Sequence, residues 1–153
     1  MKYDVSILVP VYNVSDFIER CAISLFEQSF EDIEYIFVND CTPDDSIEVL
    51  EGVLQRYPNR KERVKIIHHQ HNKGLAGARN TAVSSATGDY VLHIDSDDYV
   101  AINACEEFVI KKLGLQLSHW HIQKIKRGIN YVGYRTWKRV KFIRKHTLHN
   151  FSK

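Results

Sequence analysis

Tyr90-Val91-Leu92-His93-Ile94-Asp95-Ser96-Asp97-Asp98 decides the fold of this chain. A short apolar run, long enough for one strand, passes directly into three carboxylates and a serine. Such a run suits a strand covered on both faces. The pattern recurs upstream. Val5-Ser6-Ile7-Leu8-Val9 ends at Pro10-Val11-Tyr12-Asn13, and Tyr35-Ile36-Phe37-Val38 ends at Asn39-Asp40. Val64-Lys65-Ile66-Ile67 comes shortly before His71-Asn72-Lys73-Gly74. Between these runs the apolar spacing turns helical: Phe17, Ile18, Cys21, Ala22, Leu25 and Phe26, then Ile47, Val49, Leu50, Val53 and Leu54. A small-residue series, Ala76, Ala78, Ala82 and Val83, follows Gly74 over 74–85. Ser15 and Asp16, and later Asp45 and Ser46, are the expected N-caps. The order β-α-β-α-β-α-β predicts an α/β fold with a mostly parallel sheet and flanking helices. Right-handed crossovers would bring the strand C-termini to one edge, where such sheets bind ligands. The polar segments just quoted all fall there.

Composition agrees with a packed domain. At 44% hydrophobic and 26% charged residues over 153 positions, the chain can bury a core and is not a disordered polymer. No apolar run approaches the ~18 residues of a membrane-spanning helix, and the start lacks the blocks of a secretory signal. Cys21, Cys41 and Cys105 are odd in number and far apart. They suit neither a disulfide framework nor a zinc site and point to the reducing cytoplasm. Charge divides the chain. Residues 1–110 hold nine Lys and Arg against nineteen Asp and Glu, net −10. Residues 111–153 hold twelve Lys and Arg and no acid, net +12. Two regions are therefore expected: 1–100, and a basic tail over 101–153 of different character.

Carboxylates at i and i+2 beyond a strand end suit a hard divalent cation, Mg²⁺ or Mn²⁺, which takes oxygen ligands and shares them with phosphates. A metal held this way assists departure of a diphosphate. The plain alternative is a solvated acidic turn or helix cap. Asp40 could accept from a base N–H or a ribose hydroxyl, or cap the helix that starts near Pro43. Tyr12 could stack on a base or simply pack in the core. Arg79 could pair with phosphate or form a surface ion pair. Gly74 and Gly77 would allow close approach of a phosphate to backbone. His68, His69 and His71 read as a solvated loop.

These segments together resemble the first part of family 2 glycosyltransferases. The resemblance rests on Val5–Asn13, on Ser24-Leu25-Phe26-Glu27-Gln28-Ser29-Phe30, and on Phe37-Val38-Asn39-Asp40-Cys41-Thr42-Pro43-Asp44. It extends over Asn72-Lys73-Gly74-Leu75-Ala76-Gly77-Ala78-Arg79-Asn80 and over Ala86-Thr87-Gly88-Asp89 through Asp98. It covers residues 4–100 in order and spacing. It implies a GT-A, Rossmann-like fold and a nucleotide-diphosphate sugar donor, a UDP-sugar first, with Mn²⁺ or Mg²⁺. Pro10, Tyr12 and Asp40 would surround the base, with Asn13, Asn72, Gly74 and Ser96 in the same donor site. Arg79 would lie near base or diphosphate, Asp95 near ribose or sugar and the metal, and Asp97 would ligate the metal. Chemistry would be inverting transfer to a saccharide or lipid-linked hydroxyl in bacterial polysaccharide assembly. The chain departs from the family's pattern at Asn39, a frequent Asp, and at Cys41, a frequent Gly. The family carries its acceptor site and catalytic base further on, and this chain has no acid after Glu107. No base is assigned, so the expectation is a truncated transferase, or donor binding without turnover.

Residues 105–153 are similar instead to the C-terminal end of bacterial retroelement reverse transcriptases, through Leu113–Trp120 and Gly128-Ile129-Asn130-Tyr131-Val132-Gly133-Tyr134-Arg135-Thr136-Trp137. A helix is expected within 108–117 and a strand within 129–137, before a basic stretch over 138–151. That similarity implies a gene fusion near residue 100. The cations and aromatic residues of the tail suit an anionic partner, either nucleic acid or a membrane surface, the latter placing the protein at the inner membrane face.

Overall fold

The computed structural model describes residues 3–112 and 141–144. Strand β1 (Val5–Val11) leads to helix α1 (Ser15–Phe26), β2 (Ile33–Asn39) and α2 (Ser46–Gln55). A 3₁₀ turn over Pro58–Arg63 precedes β3 (Val64–His68), α3 (Gly74–Ser85), β4 (Tyr90–His93), α4 (Ala104–Lys112) and β5 (Lys141–Arg144). The sheet order is β3-β2-β1-β4-β5. The β1–β2, β1–β4 and β2–β3 pairs are parallel, and β5 runs antiparallel to β4. The chain winds outward from β1 through β2 to β3, then crosses back so that β4 lies on the other side of β1. That reversal opens a crevice at the strand C-termini.

Alternation along the strands divides the core. Val5, Ile7, Val9 and Val11 of β1 pack with Ile33, Tyr35 and Phe37 of β2 beneath α1 and α2. Leu8, Ile36 and Val38 face Ala78 and Ala82 of α3 on the other side. With both faces covered, β1 and β2 are apolar up to Val11 and Val38 apart from Ser6 and Glu34. Each large aliphatic or aromatic side chain buried here contributes roughly 1.5–3 kcal/mol. The small residues of α3 let it lie close to the sheet.

Pro10 was expected to end the first strand but lies within it, opposite Val38. Leu8 O accepts from Ile94 N on the β4 side. By alternation the Pro10 nitrogen faces that same side, beyond the last β1–β4 pair, Leu8 with His93. No ladder bond is lost.

The expected N-caps are also corrected. Neither Ser15 nor Asp16 caps α1, whose N-cap position is Val14, and Asp45 makes no side-chain cap on α2. Asp44 does this work for both helices. It accepts from Ser15 N at 2.9 Å and from Ser46 N at 3.3 Å.

At the far end of the sheet a buried carboxylate, Glu34, fastens the turn before β4. It accepts from Ser6 Oγ at 2.6 Å, Thr87 Oγ1 at 2.9 Å and Gly88 N at 3.1 Å, and pairs with Lys65 Nζ at 3.0 Å. Gly88 must be glycine there: a Cβ would stand 2.6 Å from Ser6 Oγ and 2.8 Å from Ser6 N. Gly88→Ala is expected to cost ~1–3 kcal/mol, read by urea denaturation.

The segment after the acidic cluster docks on the end of α1. Gln28 donates to Ala101 O at 2.7 Å and accepts from Cys105 N at 3.0 Å, while Ser29 N donates to Ile102 O at 2.7 Å. Cys105, Phe108 and Val109 of α4 join the α1 side of the core. Strand β5 pairs Phe142 with Leu92 and Ile143 with Val91. It falls in the stretch read only as basic. The strand expected within 129–137, and residues 113–117 of the expected helix, lie outside the described residues.

Candidate functional site

The ends of β1, β2 and β4 and the start of α3 enclose a cavity of about 480 Å³. Pro10 and Tyr12 come from the β1 end, Asp40 from the β2 end, Asn72 and Gly74 from the entry to α3, and Asp95, Ser96 and Asp97 from the β4 end. Val11, Val14, Leu75 and Ala78 complete the lining. Of the residues singled out from sequence for ligand contact, Asn13, Gly77 and Arg79 are not in the wall. Asn13 turns the chain out of β1 with a φ of 53°, a conformation asparagine tolerates. Arg79, on α3, donates from Nη2 to Asp95 Oδ1 at 2.6 Å. It forms an ion pair there, about two thirds buried beside the cavity, and its Nε is buried with no partner among the described residues. Tyr12 is 50% exposed, which excludes plain core packing.

Two loops form the β1–β2 side. Asn13 N donates to Thr42 Oγ1 at 2.8 Å, Val14 N to Ser46 Oγ at 3.1 Å and Ser15 N to Asp44 Oδ2 at 2.9 Å. Burial works against charge on Asp44, but the donors from Ser46, Thr42 and Ser15 outweigh it and hold the carboxyl far below its usual range. Cys41, where the family often has glycine, adopts a φ of 56° and its Sγ donates to His69 O at 3.0 Å. The left-handed conformation explains the glycine preference.

Asp40 is buried and does not cap the second helix. Its Oδ1 lies 2.7 Å from His69 Nδ1 and accepts from Lys73 N at 2.8 Å. Burial would raise its pKa, yet hydrogen bonds from His69 and from the Lys73 and Gly74 backbone hold it below the usual carboxylate value. His69 is thus no solvated loop residue: its side chain is 3% exposed. Sequence reading missed His69 and Asp44 because nothing local marks their partners.

The acidic segment forms a turn closed by Asp98 N to Asp95 O at 2.9 Å. Arg20 of α1 lies over the Tyr99 ring at 4.3 Å. Cys21 beneath the turn has its thiol pushed up to about 12, by burial first and then by Asp98 and Asp97, so it is inert. Ser96 is buried and Asp97 is exposed. Among the described residues no group of three or more His, Cys, Asp or Glu could hold a metal alone. Mg²⁺ and Mn²⁺ bound through one or two carboxylates and substrate phosphates need no such cage. Asp97, with the oxygen of Asp95 that Arg79 leaves free, fits that donor set. Glu106 and Glu107 belong to α4: Glu106 accepts from Ser29 Oγ at 2.8 Å and Glu107 from Asn103 Nδ2 at 2.9 Å.

The mostly parallel sheet with this crossover and a polar cavity at its C-terminal edge matches the GT-A glycosyltransferase fold of solved structures. Staphylococcus aureus TarS 1–349 in complex with UDP superposes with a TM-score of 0.63 at 29% identity, covering 73% of this chain and 32% of that one. A Pyrobaculum calidifontis mannosyltransferase in complex with GDP-Man and Mn²⁺ gives 0.59 at 25% identity, covering 65% and 29%. The chain belongs to glycosyl transferase family 2, whose sequence model matches residues 6–146. The uncharacterized glycosyltransferase EpsJ of Bacillus subtilis is 50% identical over 97 residues, 63% of this chain and 27% of EpsJ. The poly(ribitol-phosphate) beta-glucosyltransferase of Bacillus spizizenii is 41% identical over 103 residues, 65% of this chain and 16% of that enzyme. The chain spans less than half the length of the curated relatives it matches. The family match runs past residue 100 and through β5. The resemblance of residues 105–153 to reverse transcriptases is not shown by these matches, and most of that stretch lies outside the described residues. Among those residues no helix is long and apolar enough to cross a membrane.

Proposed function

We propose that this chain is the donor-binding part of an inverting glycosyltransferase of bacterial polysaccharide assembly, taking a nucleotide-diphosphate sugar, first a UDP-sugar, with Mn²⁺ or Mg²⁺. One observation carries the reading: a single cavity holds an exposed aromatic ring and a buried carboxylate at one end, and two carboxylates at the other. Tyr12 would stack on the base and Asp40 accept its N–H, beside Pro10. Asp95, steadied by Arg79, would face ribose or sugar. The cation, held by Asp97 with Asp95, would offset charge on the leaving diphosphate. The TarS complexes with UDP and UDP-GlcNAc, and the mannosyltransferase complex with GDP-Man and Mn²⁺, support this. The acceptor would be a saccharide, free or lipid-linked. The tail at 111–153, with twelve cations and no acid, suits an anionic partner such as the inner membrane face.

Calorimetric titration with UDP, with and without Mn²⁺, tests the donor site. Saturable binding that requires Mn²⁺ is expected. A folded protein that binds neither UDP nor other nucleoside diphosphates would overturn the reading.

A further inference from the structure

The fold does not choose the base, because the structures above hold UDP in one case and GDP-Man in another. The choice must lie in side chains, and the way Asp40 is held is specific. The inference rests on the nucleotide site proposed above. Asp40 Oδ1 accepts from Lys73 N at 2.8 Å and faces His69 Nδ1 at 2.7 Å. With Asp40 ionised, the carboxylate has no proton to give. His69 Nδ1 therefore carries the hydrogen, and Nε2 accepts from the Thr81 hydroxyl at 2.8 Å. Thr81, on α3, satisfies the second ring nitrogen and holds the ring in place. Both lone pairs of Oδ1 are then used. Oδ2 takes no side-chain hydrogen bond from the described residues, the Gly74 N–H that also nears this carboxylate being engaged by Asn72 Oδ1 at 2.8 Å, and Asp40 lines the cavity. The cavity is offered one acceptor oxygen where a free carboxylate would offer two.

We propose that His69 is a positioning residue that sets base specificity: by committing Asp40 Oδ1 it leaves a single acceptor, so the site takes a base with one ring N–H between two carbonyls, as in uracil, and rejects guanine. The guanine edge carries adjacent N1–H and N2–H donors, which need both carboxylate oxygens. With Oδ1 saturated one donor stays unpaired, a penalty worth about 10- to 100-fold in affinity. Cytosine and adenine offer at this edge an exocyclic amino group beside an unprotonated ring nitrogen, whose lone pair would face the carboxylate.

The test compares UDP and GDP binding, both with Mn²⁺, in wild type, His69→Leu, His69→Asn and Thr81→Val. Wild type should favour UDP by about 10- to 100-fold. His69→Leu frees Oδ1 and should shrink that ratio to within a few-fold, whereas His69→Asn, which keeps an N–H near the Nδ1 position, should restore it. A merely structural role would weaken both nucleotides alike and leave the ratio unmoved. Should His69→Leu fail to fold, Thr81→Val, which removes the hydrogen bond that holds the His69 ring against Asp40, should shrink the ratio in the same direction. The proposal is overturned if wild type binds GDP as tightly as UDP, or if the ratio survives in the folded variants. Loss of all nucleotide binding by wild type would instead sink the donor-site reading itself.

Discussion

Asp97→Ala should weaken Mn²⁺-dependent UDP binding by about 100-fold or more, while the melting temperature stays within about 3 °C of wild type. The two outcomes separate because of where Asp97 sits. It is exposed, it lines the cavity, and no hydrogen bond ties it to the described residues. Removing it leaves no buried partner stranded. Asp95 cannot replace it, since one of its oxygens is held by Arg79 at 2.6 Å. Calorimetry beside thermal melts reads both quantities. Unchanged UDP affinity in the variant would refute metal binding at this position.

Glu34→Ala should have the largest effect on stability, ~3–5 kcal/mol, a sizeable part of the ~5–15 kcal/mol available to a typical domain. The loss strands the Ser6 and Thr87 hydroxyls and the Thr87 N–H, leaves Gly88 N only Ser6 Oγ at 2.9 Å, and takes from the half-exposed Lys65 its partner. Glu34→Gln keeps the volume and one acceptor oxygen, and should cost less. Acid should expose the same interaction. Burial opposes ionisation of Glu34, but its hydrogen bonds from Ser6, Thr87 and Lys65 outweigh it and lower its pKa below the ordinary 4.5. The folded chain then binds fewer protons than the unfolded chain. The stabilisation is complete above the unfolded value and is lost as pH falls through the folded one. Asp40 and Asp44, also held low, act in the same direction. Urea melts from neutral pH into the acid range should show stability falling below about pH 5, with a shallower slope in Glu34→Gln.

Much of this was legible in the sequence, because apolar runs buried on both faces leave a strong local signal. The four parallel strands, α1 to α3 and the clustering of Tyr12, Asp40 and Asp95 to Asp97 at one edge all followed from periodicity. The misses share a cause. Glu34 interrupts an apolar run, and nothing near it in sequence names Ser6 or Gly88 as partners. Asp44 caps a helix begun 29 positions earlier. His69 looked like one of several loop histidines until β3 carried it under α3 to Asp40. Strand β5 is short and basic, and its pairing with β4 is set by the sheet edge it covers and by no pattern of its own. Local sequence reports which residues are buried. It does not report which distant group satisfies a buried charge.

The stitching of the β1–α1 loop to the β2–α2 loop has a kinetic consequence. Backbone donors of Asn13, Val14 and Ser15 end on side chains of Thr42, Ser46 and Asp44, so neither loop can swing without breaking the other's bonds. The entropy of ordering this wall is spent in folding, before any nucleotide arrives. Encounter with the base would then need no slow rearrangement, and the observed association rate would climb in proportion to nucleotide concentration without reaching a plateau.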